Sequence, residues 1–135
     1  MTASPRAVEL ALAAAQAAAD KLADDIVVLD VSDRLAITDC FVVASADSER
    51  QVKAVVDEIE EQLRHLGVKP VRREGEREGR WVLLDFADMV VHVQHGEERT
   101  YYSLERLWKD CPRIAFTDRD LERHVEAAAP GAARR

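Results

Sequence analysis

The chain has 135 residues, 47% apolar and 33% charged, with a net charge of −7. That length suits one domain burying roughly two-thirds of its unfolded surface, and no apolar run approaches a membrane span. The acidic balance makes the chain a poor candidate for phosphate-driven nucleic-acid binding, which needs clustered Lys and Arg, and a better one for meeting a basic protein. Cys40 and Cys111 form no Cys-x-x-Cys pair and read as free thiols of a cytoplasmic protein. The alanine-rich start carries Glu9 and Asp20 and does not read as a signal peptide.

Ser4 followed by Pro5 predicts a helix start, with a proline at the first helical position. Val8, Leu12, Ala15, Ala19 and Leu22 then recur at helical spacing. The helix should stop near Ala23 and Asp24. Residues 26–31 and 38–45 are near-continuous apolar runs separated by a polar turn, and predict strands covered on both faces. Ser48-Glu49-Arg50-Gln51 is a capping-box pattern. Behind it Val52, Val55, Val56, Ile59, Leu63 and Leu66 mark an amphipathic helix that Gly67 terminates. Residues 69–74 predict a short edge strand, since Pro70 cannot donate to a ladder. Residues 74–80 form a charged loop.

Residues 81–86 and 89–94 are two short apolar runs, too close together for a crossover, so they predict an antiparallel hairpin. With Phe86 and Ala87 as the loop, Trp81 faces His92, Leu83 faces Val90 and Asp85 faces Asp88. Alternation then gives an apolar face of Val82, Leu84, Met89, Val91 and Val93. The opposite face is mixed: Trp81, Leu83, Asp85, Asp88, Val90, His92 and Gln94. A charged hinge at residues 96–99 leads to a short helix with Leu104, Leu107 and Trp108. After Pro112 apolar residues become sparse. Thr117-Asp118-Arg119-Asp120 could cap a further short helix, and residues 127–135 have the composition of a disordered tail. The order predicts an α+β domain, a mixed sheet of about five strands with helices packed on it.

Several chemistries can be weighed on these residues. His92 and His95 point to opposite faces of a strand, and no zinc spacing is present. Cys40, His92 and Asp85 could meet as a nucleophile, base and acid, but a buried strand cysteine explains Cys40 as well. Residues 45–48 precede a helix, yet the loop lacks glycine and Asp47 would repel a phosphate. Asp85 and Asp88 could hold magnesium in a nucleotidyl-transfer enzyme, although acids beside a turn are usually turn formers. Arg72, Arg73, Arg77 and Arg80 are interleaved with Glu74, Glu76 and Glu78, which nearly cancels them as an RNA-binding set. The remaining feature is a gathering of aromatic and polar residues in one hairpin and helix. Trp, Tyr and Arg are the residues enriched at interface hot spots. A partner-binding face is therefore expected at Trp81, Asp85, His92, Arg99, Tyr102, Leu104, Glu105 and Trp108, with no cofactor and no metal.

Four blocks also resemble, in order, those of the ribosomal silencing factor (Iojap) family. They are Thr38-Asp39-x-Phe41-Val42-Val43-Ala44-Ser45; Ser48-x-Arg50-Gln51-Val52-x-Ala54; Trp81-Val82-Leu83-Leu84-Asp85-Phe86-x-Asp88-x-Val90-Val91-His92; and Arg99-x-Tyr101-Tyr102-x-Leu104-Glu105-x-Leu107-Trp108. The resemblance covers residues 1–112 as the domain and leaves 113–135 as a partly disordered C-terminal extension. It implies a nucleotidyltransferase-like fold without the catalytic signature. It also implies a translational repressor that binds the large ribosomal subunit through its fourteenth protein and blocks joining of the small subunit when nutrients are scarce. Homodimers off the ribosome follow from the same resemblance, while the cysteines point to a cytoplasmic location and the acidic charge to little direct nucleic-acid contact. The sequence departs from the family at Cys40, at Ala46-Asp47 and at Gln94, where the family often has phenylalanine.

Overall fold

A computed structural model describes residues 2–102 and 104–128; for Tyr101, Tyr102, Glu105 and Ala128 it describes the backbone alone. The elements are α1 (Pro5–Asp20), β1 (Asp24–Asp30), β2 (Cys40–Ala46), α2 (Glu49–His65), β3 (Arg72–Glu74), β4 (Trp81–Asp85), β5 (Met89–His95), α3 (Gly96–Tyr102), α4 (Leu104–Leu107) and α5 (Leu121–Ala128). The five strands form one sheet in the order β1-β2-β5-β4-β3. Only β2 and β5 run parallel; the other neighbours are antiparallel. This is the expected α+β architecture.

Helices α1 and α2 pack side by side on one face of the sheet, here called inner. Ser4 caps α1, its Oγ accepting from the Ala7 N–H at 3.1 Å. Ser48 does the same for α2, accepting from the Gln51 N–H. The Gln51 side chain accepts from the Asp47 N–H and donates to the carbonyls of Lys21 and Leu22, so it ties the end of α1 to the start of α2. Gly67 stops α2 with φ +87°, a backbone value that suits glycine.

The buried face of α2 is Val52, Val55, Val56, Ile59 and Leu63, as its spacing predicts. On α1 the buried set is Ala7, Leu10, Ala11, Ala14, Ala15, Gln16, Ala17, Ala18 and Ala19. The stripe expected through Val8, Leu12 and Leu22 is thus rotated. Alanine lets α1 lie close between sheet and α2, while Val8 and Leu12 fall at its rim and Leu22 is exposed.

The hairpin differs from expectation in register. Trp81 lies opposite Gln94, Leu83 opposite His92 and Asp85 opposite Val90. The Phe86 N–H donates to the Met89 carbonyl, leaving Ala87 and Asp88 as the loop in place of Phe86 and Ala87. Ala87 takes φ +72°, and the Asp85 carboxylate accepts its N–H, so a side chain supplies the turn signal that an Asn-Gly pair would otherwise give. The slip is two residues, so each strand keeps its faces. Val82, Leu84, Met89, Val91 and Val93 all join the inner core. The expected charged hinge at 96–99 is instead the start of α3, where Glu97 and Glu98 favour the positive end of the helix.

Candidate protein-binding face

Among the described residues, no long helix lies on the outer face of the sheet. Pairing and alternation place Val27 and Leu29 on it from β1, Phe41, Val43 and Ser45 from β2, Val90, His92 and Gln94 from β5, and Trp81, Leu83 and Asp85 from β4. The short α3 lies against β5 and β2, and the Arg99 guanidinium on it donates to the Asp25 carbonyl at the β1 bulge. Leu104 at the start of α4 is buried, and Leu107 is exposed. Leu29, Val31, Phe41, Val90 and Cys111 form a small second core, with Val27, Leu35, Leu83 and Trp108 half-buried at its margin.

A row of rings crosses this face. The Trp81 Nε1–H donates to His92 Nδ1 at 3.2 Å. Phe41 meets His92 edge-on at 5.1 Å between centroids, and Trp108 meets Phe41 edge-on at 5.3 Å. Edge-to-face packing is the favoured aromatic geometry. The row therefore joins four elements, with half-buried tryptophans at its two ends and buried rings in the middle. Phe41 belongs to the site but looked like ordinary strand core in sequence. Its odd position on an outward-alternating strand, in register with Val90, was the only signal.

Polar groups sit uneasily beneath the row. His92 is buried, and burial pushes its imidazole down to about 4. Its Nδ1 accepts from Trp81, so the proton sits on Nε2, which has no partner among the described residues. Gln94 is fully buried, and neither its amide oxygen nor its nitrogen has a partner among the described residues. Unpaired buried polar groups are rare and costly, which sets these two positions apart from the apolar inner face.

The expected site residues fall into three groups. Trp81, Asp85 and Trp108 are partly exposed. His92, Arg99 and Leu104 lie beneath the surface, where they shape the face. The side chains of Tyr102 and Glu105 lie outside what is described. Asp85 and Asp88 do not face one another; Asp85 accepts from the Ala87 N–H and lies 3.8 Å from Arg72. Cys40 points into the inner core, away from His92, and burial together with the charges of Asp30 and Asp39 pushes its thiol up to about 12. A Cys40, His92 and Asp85 site is therefore not assembled. Arg73 pairs with Glu60 of α2, and Arg80 with Glu97 and Glu98, so both are engaged within the chain. Two groups of described side chains lie close enough to share a cation, His95 with Glu97 and Glu98, and Asp20 with Asp120 and His124. Arg80 sits on the first and Arg119 on the second. Among the described residues, no helix is long and apolar enough to cross a membrane.

The chain resembles known proteins over most of its length. The family model described as "Ribosomal silencing factor during starvation" matches residues 4–135. A Bacillus subtilis ribosomal silencing factor is 44% identical over 99 residues, which is 73% of this chain and 84% of that protein. A crystal structure of a Chromobacterium violaceum protein superposes with a TM-score of 0.73 at 37% identity, covering 82% of this chain and 91% of that one. A mouse protein named "Mitochondrial assembly of ribosomal large subunit protein 1" is 36% identical over 89 residues, 64% of this chain but 39% of that protein. The fold, the ordered motifs and the matched length agree: this chain belongs to the ribosomal silencing factor family.

Proposed function

We propose that this chain is a non-enzymatic translational repressor. It binds the large ribosomal subunit through that subunit's fourteenth protein and sterically blocks joining of the small subunit when nutrients are limiting. The observation that carries this reading is the half-covered outer face. A row of aromatic rings with half-buried tryptophans at its ends, on a face that no long helix covers among the described residues, has the composition of an interface centre. A binding face of about 800 Å² per partner is the standard size, and a sheet face of this extent suits it. The family's name and the mouse relative's name both support a ribosomal partner. The net charge of −7 suits a basic protein, toward which complementary charge would steer encounter. Trp81 and Trp108 supply direct contact. His92 holds Trp81 and the Leu104 carbonyl holds the Trp108 backbone, Arg99 anchors α3 to Asp25, and Asp85 pairs with a basic group. Tyr102 and Glu105, whose side chains lie outside what is described, complete the proposed set of contact residues. Off the ribosome, copies of the chain form a homodimer, and the chain acts in the cytoplasm.

The test is calorimetry of the chain against the isolated fourteenth large-subunit protein, with an RNA oligonucleotide as control. Tight binding to the protein, none to the RNA, and loss of binding in a Trp81→Ala and Trp108→Ala double variant that stays folded are the expected results. No binding to the protein, with magnesium-dependent nucleotide turnover abolished by Asp88→Asn, would replace this reading with an enzymatic one.

A further inference from the structure

After α4 the chain leaves the outer face and travels around the β1 edge to the helical side of the sheet. Its root is apolar, with Trp108 and Cys111 set in the second core. Residues 112–114 then run antiparallel beside β1. The Asp30 N–H donates to the Pro112 carbonyl at 2.8 Å, the Ile114 N–H donates to the Val28 carbonyl at 2.9 Å, and Leu29 lies opposite Arg113. Ile114 and Phe116 pack against the inner core. The otherwise open edge of β1 is thereby covered.

The segment ends on α1, at Gln16. This glutamine is buried on a helix face made almost entirely of alanine. Its Nε2 donates to Asp118 at 2.9 Å and to Asp20 at 3.0 Å, and its Oε1 accepts from the Arg119 N–H at 3.0 Å. Helix α5 then sets His124 between two carboxylates. Nδ1 lies 2.6 Å from Asp118 and Nε2 lies 3.5 Å from Asp20. The charged groups around this node come from three directions. Asp20 comes from α1; Asp118, Arg119 and Asp120 come from the turn before α5, and Arg123 from α5 itself. His65 of α2 lines the same recess beside Arg119.

The node joins the segment to α1 through side-chain hydrogen bonds, since α1 presents mostly alanine. An alanine buries far less apolar area than the valines, isoleucine and leucine of α2. What α1 lacks in side-chain burial, the segment crossing it supplies through specific hydrogen bonds. We propose that residues 112–128 are a strap that opens and closes as one unit, locked on α1 by the Gln16, Asp118, Asp20 and His124 node, and that its opening bares the β1 edge. The strap links the two sides of the sheet, since it leaves the outer face directly after Trp108 and Cys111 and its other end carries the lock.

The test is native-state hydrogen exchange by NMR on the full chain, read at the amides of Asp30, Ile114 and Arg119 and, for the sheet centre, Val42 and Val91. In the unaltered chain the first three amides share one opening equilibrium, distinct from and weaker than that of the sheet. His124→Ala and Gln16→Ala each lower protection at those three by roughly tenfold, the effect of about 1.4 kcal/mol, and leave Val42 and Val91 unchanged. His124→Gln, which keeps a donor for Asp118, restores most of the loss. Unchanged protection at Ile114 and Asp30 in both variants would overturn the lock. Equal protection of all five amides in the unaltered chain would overturn the strap as a separate unit, and that measurement needs no variant to fold.

Discussion

The inner face of the sheet carries Val42, Ala44, Val82, Leu84, Met89, Val91 and Val93 under two long helices, and all are buried and apolar. The outer face of the same strands carries Phe41, Trp81, Leu83, His92 and Gln94 under one short helix and a turn. Alternation along a strand builds both faces from the same backbone, so the contrast lies in side chains alone. The inner face is closed and pays only the entropy of ordering. The outer face keeps half-buried tryptophans at its margin and unpaired polar atoms below them. A face selected for stability alone would not retain an uncompensated glutamine.

Removing a side chain from the closed face should have the largest effect on folding. Leu84→Ala, at a fully buried site, should lower stability by about 3 kcal/mol. Urea unfolding would show it as a lower midpoint at unchanged slope. A loss below about 1 kcal/mol would mean that the inner face is no tighter than the outer one.

Acid should act on the outer face through His92. Its folded pKa lies near 4, below the ordinary 6.5. The unfolded chain therefore takes up the proton first as pH falls. The stability held by neutral His92 is complete above pH 6.5 and drains away as pH falls toward 4, by up to about 3 kcal/mol. Carboxylates titrate nearby, so the quantity to measure is the difference in urea midpoint against pH between the unaltered chain and His92→Phe. Parallel profiles would show that His92 is solvated in solution.

Trp108→Ala should separate binding from folding. Losing a hot-spot tryptophan costs about 2 kcal/mol or more in affinity, a fall of roughly thirtyfold in calorimetry. Its half-buried position predicts a smaller effect on the unfolding midpoint. A variant that unfolds in step with its loss of binding would make Trp108 a core residue of the second cluster.

Gln94→Leu gives the smallest effect and the opposite sign. Replacing a buried, unpaired amide by an apolar side chain of similar size should stabilise the chain by about 1 kcal/mol. A destabilised variant would reveal a hydrogen bond to Gln94 in solution, and the outer face would then be closer in character to the inner one.

Much of this was legible along the chain. Ser48 and the valine spacing of α2 mark one helix, and Pro70 marks the edge strand. The alternation in 81–94 separates the core face from the mixed face even with the hairpin paired two residues out of register, because an even slip preserves the faces. The loop itself was misread because its signal is the Asp85 carboxylate on the Ala87 N–H, a contact that a turn propensity does not contain. The contact residues were legible by type and less so by exposure. Trp81 and Trp108 are open to a partner, whereas His92 and Arg99 are covered by the folding of α3 over β5 and β2.

Local chemistry thus determined the order of elements, their caps and the two faces of each strand, because those depend on neighbours within a few residues. Only the tertiary structure decided the rest. Packing against α2 selected the alanine side of α1 over the Val8 and Leu12 side, since close approach rewards small residues. Pairing of β2 with β5 brought Phe41 beside His92, and the return of the chain past β1 brought His124 to Asp20. Contacts between residues so far apart in sequence depend on which strands and helices become neighbours, and spacing along the chain carries no record of that choice.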